Sequence, residues 1–258
     1  MDDSSATPPE RESAPVAIVT GAGRGIGRAV ALALARAGYS LCIAARTREE
    51  LEETRAAAGL APERALIVLV DLAGEDAPEN LIDATLQRYG RLDVVVNNAG
   101  WAPPRTPLAR MSAADQDRIL ALNLRAPIAL TRLAAAHFAK ASADGAAAPR
   151  AIVNIASSAA RATPPGEAVY AAAKAGLVAF THAAFNELRA RNVRIAVVIP
   201  GLTDTALIPQ NRRLDRSLML RAEHVAAAVM QIIAAPAGAC PVEIVLEPLA
   251  DPMRPNRA

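Results

Sequence analysis

The feature that most limits what this chain can fold into is a regular alternation of short β-branched or aliphatic runs with longer stretches of helical period. Parallel strands need a crossover of a dozen or more residues, usually a helix, so the alternation reads as repeated βαβ units. Strands are expected over 16–20, 40–44, 65–70, 93–97, 151–155, 194–199 and 242–246. Helices are expected over about 25–37, 47–58, 75–89, 112–141, 167–191 and 222–234. The strand runs are almost unbroken in hydrophobicity, as strands covered on both faces must be. Hydrophobic residues make up 52% of the 258 residues but aromatic ones only 3%, so Ala, Val, Leu and Ile must build the core.

This length suits one α/β domain. The Ala-rich stretch 141–148 contains Asp144-Gly145 and precedes Pro149, which predicts a surface connection rather than a linker. Residues 1–14 are rich in Asp, Glu, Ser and Pro and can bury little, so they are expected to form a flexible tail ahead of a single domain over 15–258.

Several function classes find no support. A formal net charge of +2 with scattered Lys and Arg carries no nucleic-acid footprint. Cys42 and Cys240 have neither disulfide nor metal-ligand spacing, and His137, His182 and His224 have no partner pattern, so no metal is expected. The polar start and the lack of an apolar stretch free of charge or Pro argue against a leader or a membrane span and predict a soluble, cytoplasmic protein.

Thr20-Gly21-Ala22-Gly23-Arg24-Gly25-Ile26-Gly27 follows the first expected strand and opens the first helix. Glycines there let backbone N–H groups and a helix N-terminus approach a pyrophosphate. No register gives G-x-G-x-x-G, because Ile26 or Arg28 falls at the third Gly; the pattern is T-G-x-x-x-G-x-G. Together with Asn97-Asn98-Ala99-Gly100, it resembles the short-chain dehydrogenase/reductase superfamily over about positions 15–247. The resemblance implies a doubly wound Rossmann-type fold, a seven-stranded parallel sheet with helices on both faces, and a nicotinamide cofactor. It also implies that Asn98, Ala99 and Gly100 border the adenosine half, that Asp71 beside Leu72 meets adenine, and that Pro200, Gly201, Thr203 and Thr205 hold the carboxamide. Asp71 could equally cap the following helix. Tetramers, or dimers, built on the long helices 112–141 and 167–191 are the family's usual assembly, and the small side chains there permit close contact.

Tyr170 and Lys174, four residues apart, share one helix face, and the ammonium is expected to draw the phenol towards neutral pH. Ser157 lies thirteen positions before Tyr170, the spacing of the family, and Asn123 resembles the fourth member of its tetrad. Pro127 has no N–H to offer the Asn123 carbonyl within a helix, which leaves that carbonyl for the water of the family's proton relay to Lys174. Trp101, Pro103, Arg161, Leu202 and Leu207 are substrate-pocket candidates by position, and Arg212-Arg213-Leu-Asp-Arg216 corresponds to the family's mobile cover.

The expected activity is reduction of a ketone or aldehyde, a 3-oxoacyl thioester among them, with hydride from the nicotinamide and a proton from Tyr170. NADP(H) is the expected cofactor, with NAD(H) the alternative. The second strand ends in Ile43-Ala44-Ala45-Arg46-Thr47 with no carboxylate before Glu49, and Arg46 and Arg24 can flank a 2′-phosphate. The rival readings are an NAD-dependent alcohol dehydrogenase working oxidatively and a cofactor-sensing regulator. The second has no need of the Asn, Ser, Tyr and Lys set.

Overall fold

The computed structural model describes residues 14–141, 150–208 and 214–253. The expected tail apart from its last residue, Ala14, the 141–148 connection apart from its first residue, Ala141, and Arg212-Arg213 therefore lie outside the described residues.

In chain order the elements are β1 Val16–Thr20, α1 Gly25–Arg36, β2 Ser40–Ala45, α2 Arg48–Ala57, β3 Ala65–Leu69, α3 Ala77–Tyr89 and β4 Val94–Asn97. There follow α4 Ala113–Leu120, a π turn Ala121–Arg125, α5 Ala126–Ala141, β5 Arg150–Ile155, α6 Ala159–Ala162, α7 Ala168–Leu188, β6 Val193–Pro200, α8 Ala222–Ile233 and β7 Glu243–Leu246. All seven strands pair in parallel in the order β3-β2-β1-β4-β5-β6-β7. The doubly wound expectation holds, with strand ends shifted by a residue or two.

Alternate residues of each strand feed opposite layers. Ala17, Val19, Leu41, Ile43, Val94, Val96, Val153 and Val198 pack with Val30 and Leu34 of α1, Leu51 of α2 and Val225, Val229 and Ile232 of α8. Ile18, Cys42, Val95, Ile152 and Ile195 pack with Leu81 of α3, Leu130 and Phe138 of α5 and Ala184 of α7. By length and composition, the runs Ala113–Lys140 and Ala168–Arg191 are apolar enough to cross a bilayer; their buried faces belong to this second layer and to the site beneath it.

The expected helix 112–141 is interrupted. Ser112 caps α4, its hydroxyl accepting from Asp115 N–H, but at Ala121–Arg125 the ladder widens and Ala126 N–H donates to the Ala121 carbonyl five residues back. Pro127, with no N–H, cannot complete an i→i+4 bond to Asn123, which accounts for the break. Between β5 and α7, where no helix is expected, lies the four-residue α6. A buried arginine closes the far end of α8: Arg194 donates to the carbonyls of Ile233 (3.0 Å), Ala235 (2.6 Å), Pro236 (3.1 Å) and Ala239 (3.2 Å), satisfying acceptors the helix end leaves open.

Candidate active site

Strand order reverses between β1 and β4, and the two strand ends are stitched there. Asn98 N–H and Ala99 N–H donate to the Thr20 hydroxyl (2.9 and 3.0 Å), which donates to the Val96 carbonyl, and Asn98 Nδ2 donates to Thr20 O (2.9 Å). A cleft of about 490 Å³ opens over this seam at the carboxyl edge of the sheet. Gly21, Gly23, Arg24, Gly25 and Ile26 form one wall, with Ala45 and Arg46 beyond them and Asp71 and Leu72 at the same end. Asn98, Ala99, Gly100 and Trp101 form the floor; Ser157, Tyr170, Lys174, Pro200, Gly201, Thr203, Thr205 and Leu207 close the other end.

The turn's geometry explains its sequence. Gly21 has φ +64 and Gly25 φ +54. Gly27 lies beneath the turn rather than in the cleft, and a Cβ there would come within 2.1 Å of the Gly21 carbonyl. Arg28, at the position where a third Gly fails to appear, donates from Nε to Gly23 O (2.9 Å) and to Thr54 Oγ1 (3.0 Å), while the Thr54 hydroxyl donates to Ala22 O (2.9 Å). The α1 start has no side-chain cap and no acid in its first turn. Its open N–H donors and the missing Cβ atoms are what a pyrophosphate requires, so these residues fit a dinucleotide.

At the other end, Ser157 and Tyr170 line the cleft together, and Lys174 Nζ donates to the Ile155 carbonyl (2.9 Å), the residue being 3% exposed. The expected acidic phenol is not found in this structure. Burial pushes Tyr170 up to about 12 against the opposing effect of the Ser157 hydroxyl, and the ammonium, 5.8 Å from the ring centroid, does not offset it. Burial likewise brings Lys174 down to about 8. Asn123 is fully buried behind the floor: Nδ2 donates to Trp101 O (2.7 Å) and to Ile119 O (3.0 Å), and Trp101 N–H donates to Oδ1 (3.3 Å). Its side chain thus fixes the floor rather than facing the cleft.

Three substrate candidates fall elsewhere. Arg161 sits on α6 and pairs with Glu243, away from the cleft, because the short helix turns it outward. Leu202 and Pro103 do not line the cleft either. Asp71 is not the cap of α3, which starts six residues later; its Oδ1 accepts from Ala73 N–H (3.1 Å) and its Oδ2 from Arg118 Nη2 (2.8 Å). Thr203 turns inward and donates to Gly201 O (3.0 Å). Arg216 holds the 204–208 segment through Asp204 (2.8 Å), Thr205 O (2.9 Å) and Ile208 O (3.2 Å), and Asp215 N–H donates to Pro252 O (2.8 Å).

Sequence reading missed Glu50. It is absent from the end of β2, but the first turn of α2 carries it back into the cleft, 3.6 Å from Arg24 Nη1 and against Gly23. Its place one turn into the next helix was the available signal.

A parallel sheet opening at its switch point onto an uncapped helix start is the architecture α/β proteins use for dinucleotides. The short chain dehydrogenase family model matches residues 15–215, and the chain belongs to the short-chain dehydrogenase/reductase family of oxidoreductases. A 3-oxoacyl-[acyl-carrier-protein] reductase of Synechocystis sp. is 36% identical over 199 residues, 75% of this chain and 76% of that one. A 3-ketoacyl-(acyl-carrier-protein) reductase of Brucella melitensis, solved with NADH, superimposes with TM-score 0.82 at 27% identity, covering 90% and 96% of the two chains. A metagenomic short-chain oxidoreductase solved with NADP gives 0.76 at 30%, covering 92% and 98%.

Proposed function

We propose that this oxidoreductase is a single-domain carbonyl reductase that takes NADP(H) in preference to NAD(H), and that Tyr170 supplies the proton. The observation that carries the reading is the joining, in one cleft, of the Gly-rich turn and the Ser157, Tyr170 and Lys174 cluster. Residues 21–26 and the α1 start would hold the pyrophosphate, Asp71 the adenine, and Lys174 and 200–205 the nicotinamide half. When bound, the cofactor supplies the hydride.

The protein's own part is acid catalysis and orientation. A phenol at about 12 stays protonated at neutral pH, so Tyr170 arrives as an acid able to protonate a forming alkoxide. Ser157, beside Tyr170 in the cleft, orients the carbonyl oxygen, and buried Lys174 brings positive charge to the same end. The Asn123 carbonyl, denied a donor by Pro127, is the place for a relay water. Arg24 and Arg46 flank the cleft end where a 2′-phosphate would lie. Self-association through the α4–α5 and α7 faces belongs to the same reading, and 3-oxoacyl thioesters are among the substrates to try.

Glu50 favours a second reading. A carboxylate beside Arg24 in the cleft suits the ribose diol of NAD(H). A screen of ketones, quinones and 3-oxoacyl thioesters, following NADPH and NADH absorbance in parallel, tests both. The proposal expects turnover with a higher kcat/KM for NADPH; turnover with a higher value for NADH establishes the second reading, and no turnover on any carbonyl defeats both.

A further inference from the structure

Arg118 of α4 lies outside every role assigned so far, yet it touches both halves of the cleft. Its Nη2 donates to Asp71 Oδ2 at 2.8 Å, and its guanidinium carbon stands 5.6 Å from the centroid of the Trp101 ring. Asp71 lines the cleft at its adenine end, and Trp101 lines its floor. One planar cation thus has a carboxylate at its edge and an indole at its face, the two contacts a guanidinium makes best.

Neither contact is explained by stability. With Arg118 35% and Asp71 40% exposed, water screens the pair and it contributes little to stability. The Trp101 main chain is held without it, through two hydrogen bonds with the Asn123 side chain. The side chain also packs on the cluster formed by Ile119, Ala159, Tyr170 and Ala173. What Arg118 adds is a link: Asp71 on one side, and on the other an indole packed on the cluster that contains Tyr170. Burial would raise the Asp71 carboxyl, but the Ala73 N–H, the Arg118 hydrogen bond and charge, and the Arg46 charge together hold it below its ordinary value, so it stays an anion for Arg118.

We propose that Arg118 is a positioning residue that couples the adenine end of the cleft to the Trp101 wall, so that adenosine binding at Asp71 resets the indole beside Tyr170. This rests on the dinucleotide reading of the cleft. A ligand group that draws on the Asp71 carboxylate shifts the guanidinium, and the guanidinium cannot move without altering the cation over the indole face.

Trp101 is the chain's single tryptophan, so its emission reports this wall alone. The probe is 5′-AMP, which carries the adenosine half of the cofactor and lacks the nicotinamide half. Its binding is followed by equilibrium dialysis and, in parallel, by tryptophan fluorescence. In the wild type, saturation with AMP should change the emission. Arg118→Met should still bind AMP, about fivefold more weakly, with the emission response lost. Arg118→Lys keeps a cation and should retain part of the response, which a loss of folding alone would not reproduce. Bound AMP with no emission change in the wild type, or an undiminished change in Arg118→Met, overturns the coupling and leaves the cleft reading intact. Failure of AMP, NADPH and NADH alike to bind the wild type overturns the cleft reading and the coupling with it.

Discussion

Lys174 Nζ donates to the Ile155 carbonyl at 2.9 Å, so the amine that ends the Tyr170 helix face is held by the strand that delivers Ser157. Burial keeps this amine at about 8, against an ordinary 10.5. Between those values the unfolded chain carries a proton that the folded chain has given up, so this group makes stability rise with pH from about 8 to 10.5. Tyr170, raised from 10.0 to about 12, works the other way and makes stability fall over that later interval. Between about pH 7.5 and 9.5, the wild type should therefore gain about 2 kcal/mol relative to Lys174→Met. Urea denaturation at both values measures it, and parallel curves for the two proteins would show that the amine is not depressed.

Tyr170→Phe should remove nearly all turnover and leave cofactor affinity almost unchanged. The ring that packs against Ile119 and Ala173 stays, and only the proton donor goes. Single-turnover kinetics alongside cofactor titration check this; retention of more than a small fraction of wild-type kcat rules the mechanism out.

Glu50→Gln should raise the NADPH to NADH ratio of kcat/KM by about tenfold. The substitution removes the carboxylate 3.6 Å from Arg24 and frees that guanidinium for a phosphate. An unchanged ratio would mean that Glu50 turns away when cofactor binds.

Pro127→Ala should slow turnover several-fold without unfolding the protein. It restores an N–H four residues after Asn123, which would compete for that carbonyl and pull the π turn towards an α-helix. Steady-state kcat decides the matter, with equal values removing the carbonyl from the proton route.

Gly27→Ala should cost about 2 kcal/mol or more and weaken cofactor binding. The added carbon has nowhere to go, with Gly21 O at 2.1 Å and Asn98 Nδ2 at 2.5 Å. A denaturation midpoint equal to that of the wild type would contradict this packing.

The strands were readable because each is a short apolar run between breakers, and Ser157, Tyr170 and Lys174 were readable because their spacing is local. The π turn was not, since Ala121-Leu-Asn-Leu-Arg125 is good helix sequence and only the later Pro127 forces the change. Glu50, Arg118 and Thr54 act through partners 17 to 47 positions away, which no local period encodes. Arg161 looked like a pocket residue because its loop was read without the turn of helix that aims it at Glu243. The phenol of Tyr170 was misjudged because a neighbouring charge is visible in sequence and burial is not.

The π turn also sets a phase. One residue advances a helix by about 100°, so the widened turn at Ala121–Arg125 fixes which side of α5 meets the sheet. Removing a single residue there would swing Leu130, Ala134 and Phe138 away from their strands together, while Ile119, on the near side, stayed in place. The segment between the Ser112 cap and α5 should therefore tolerate substitutions far better than a one-residue change in length.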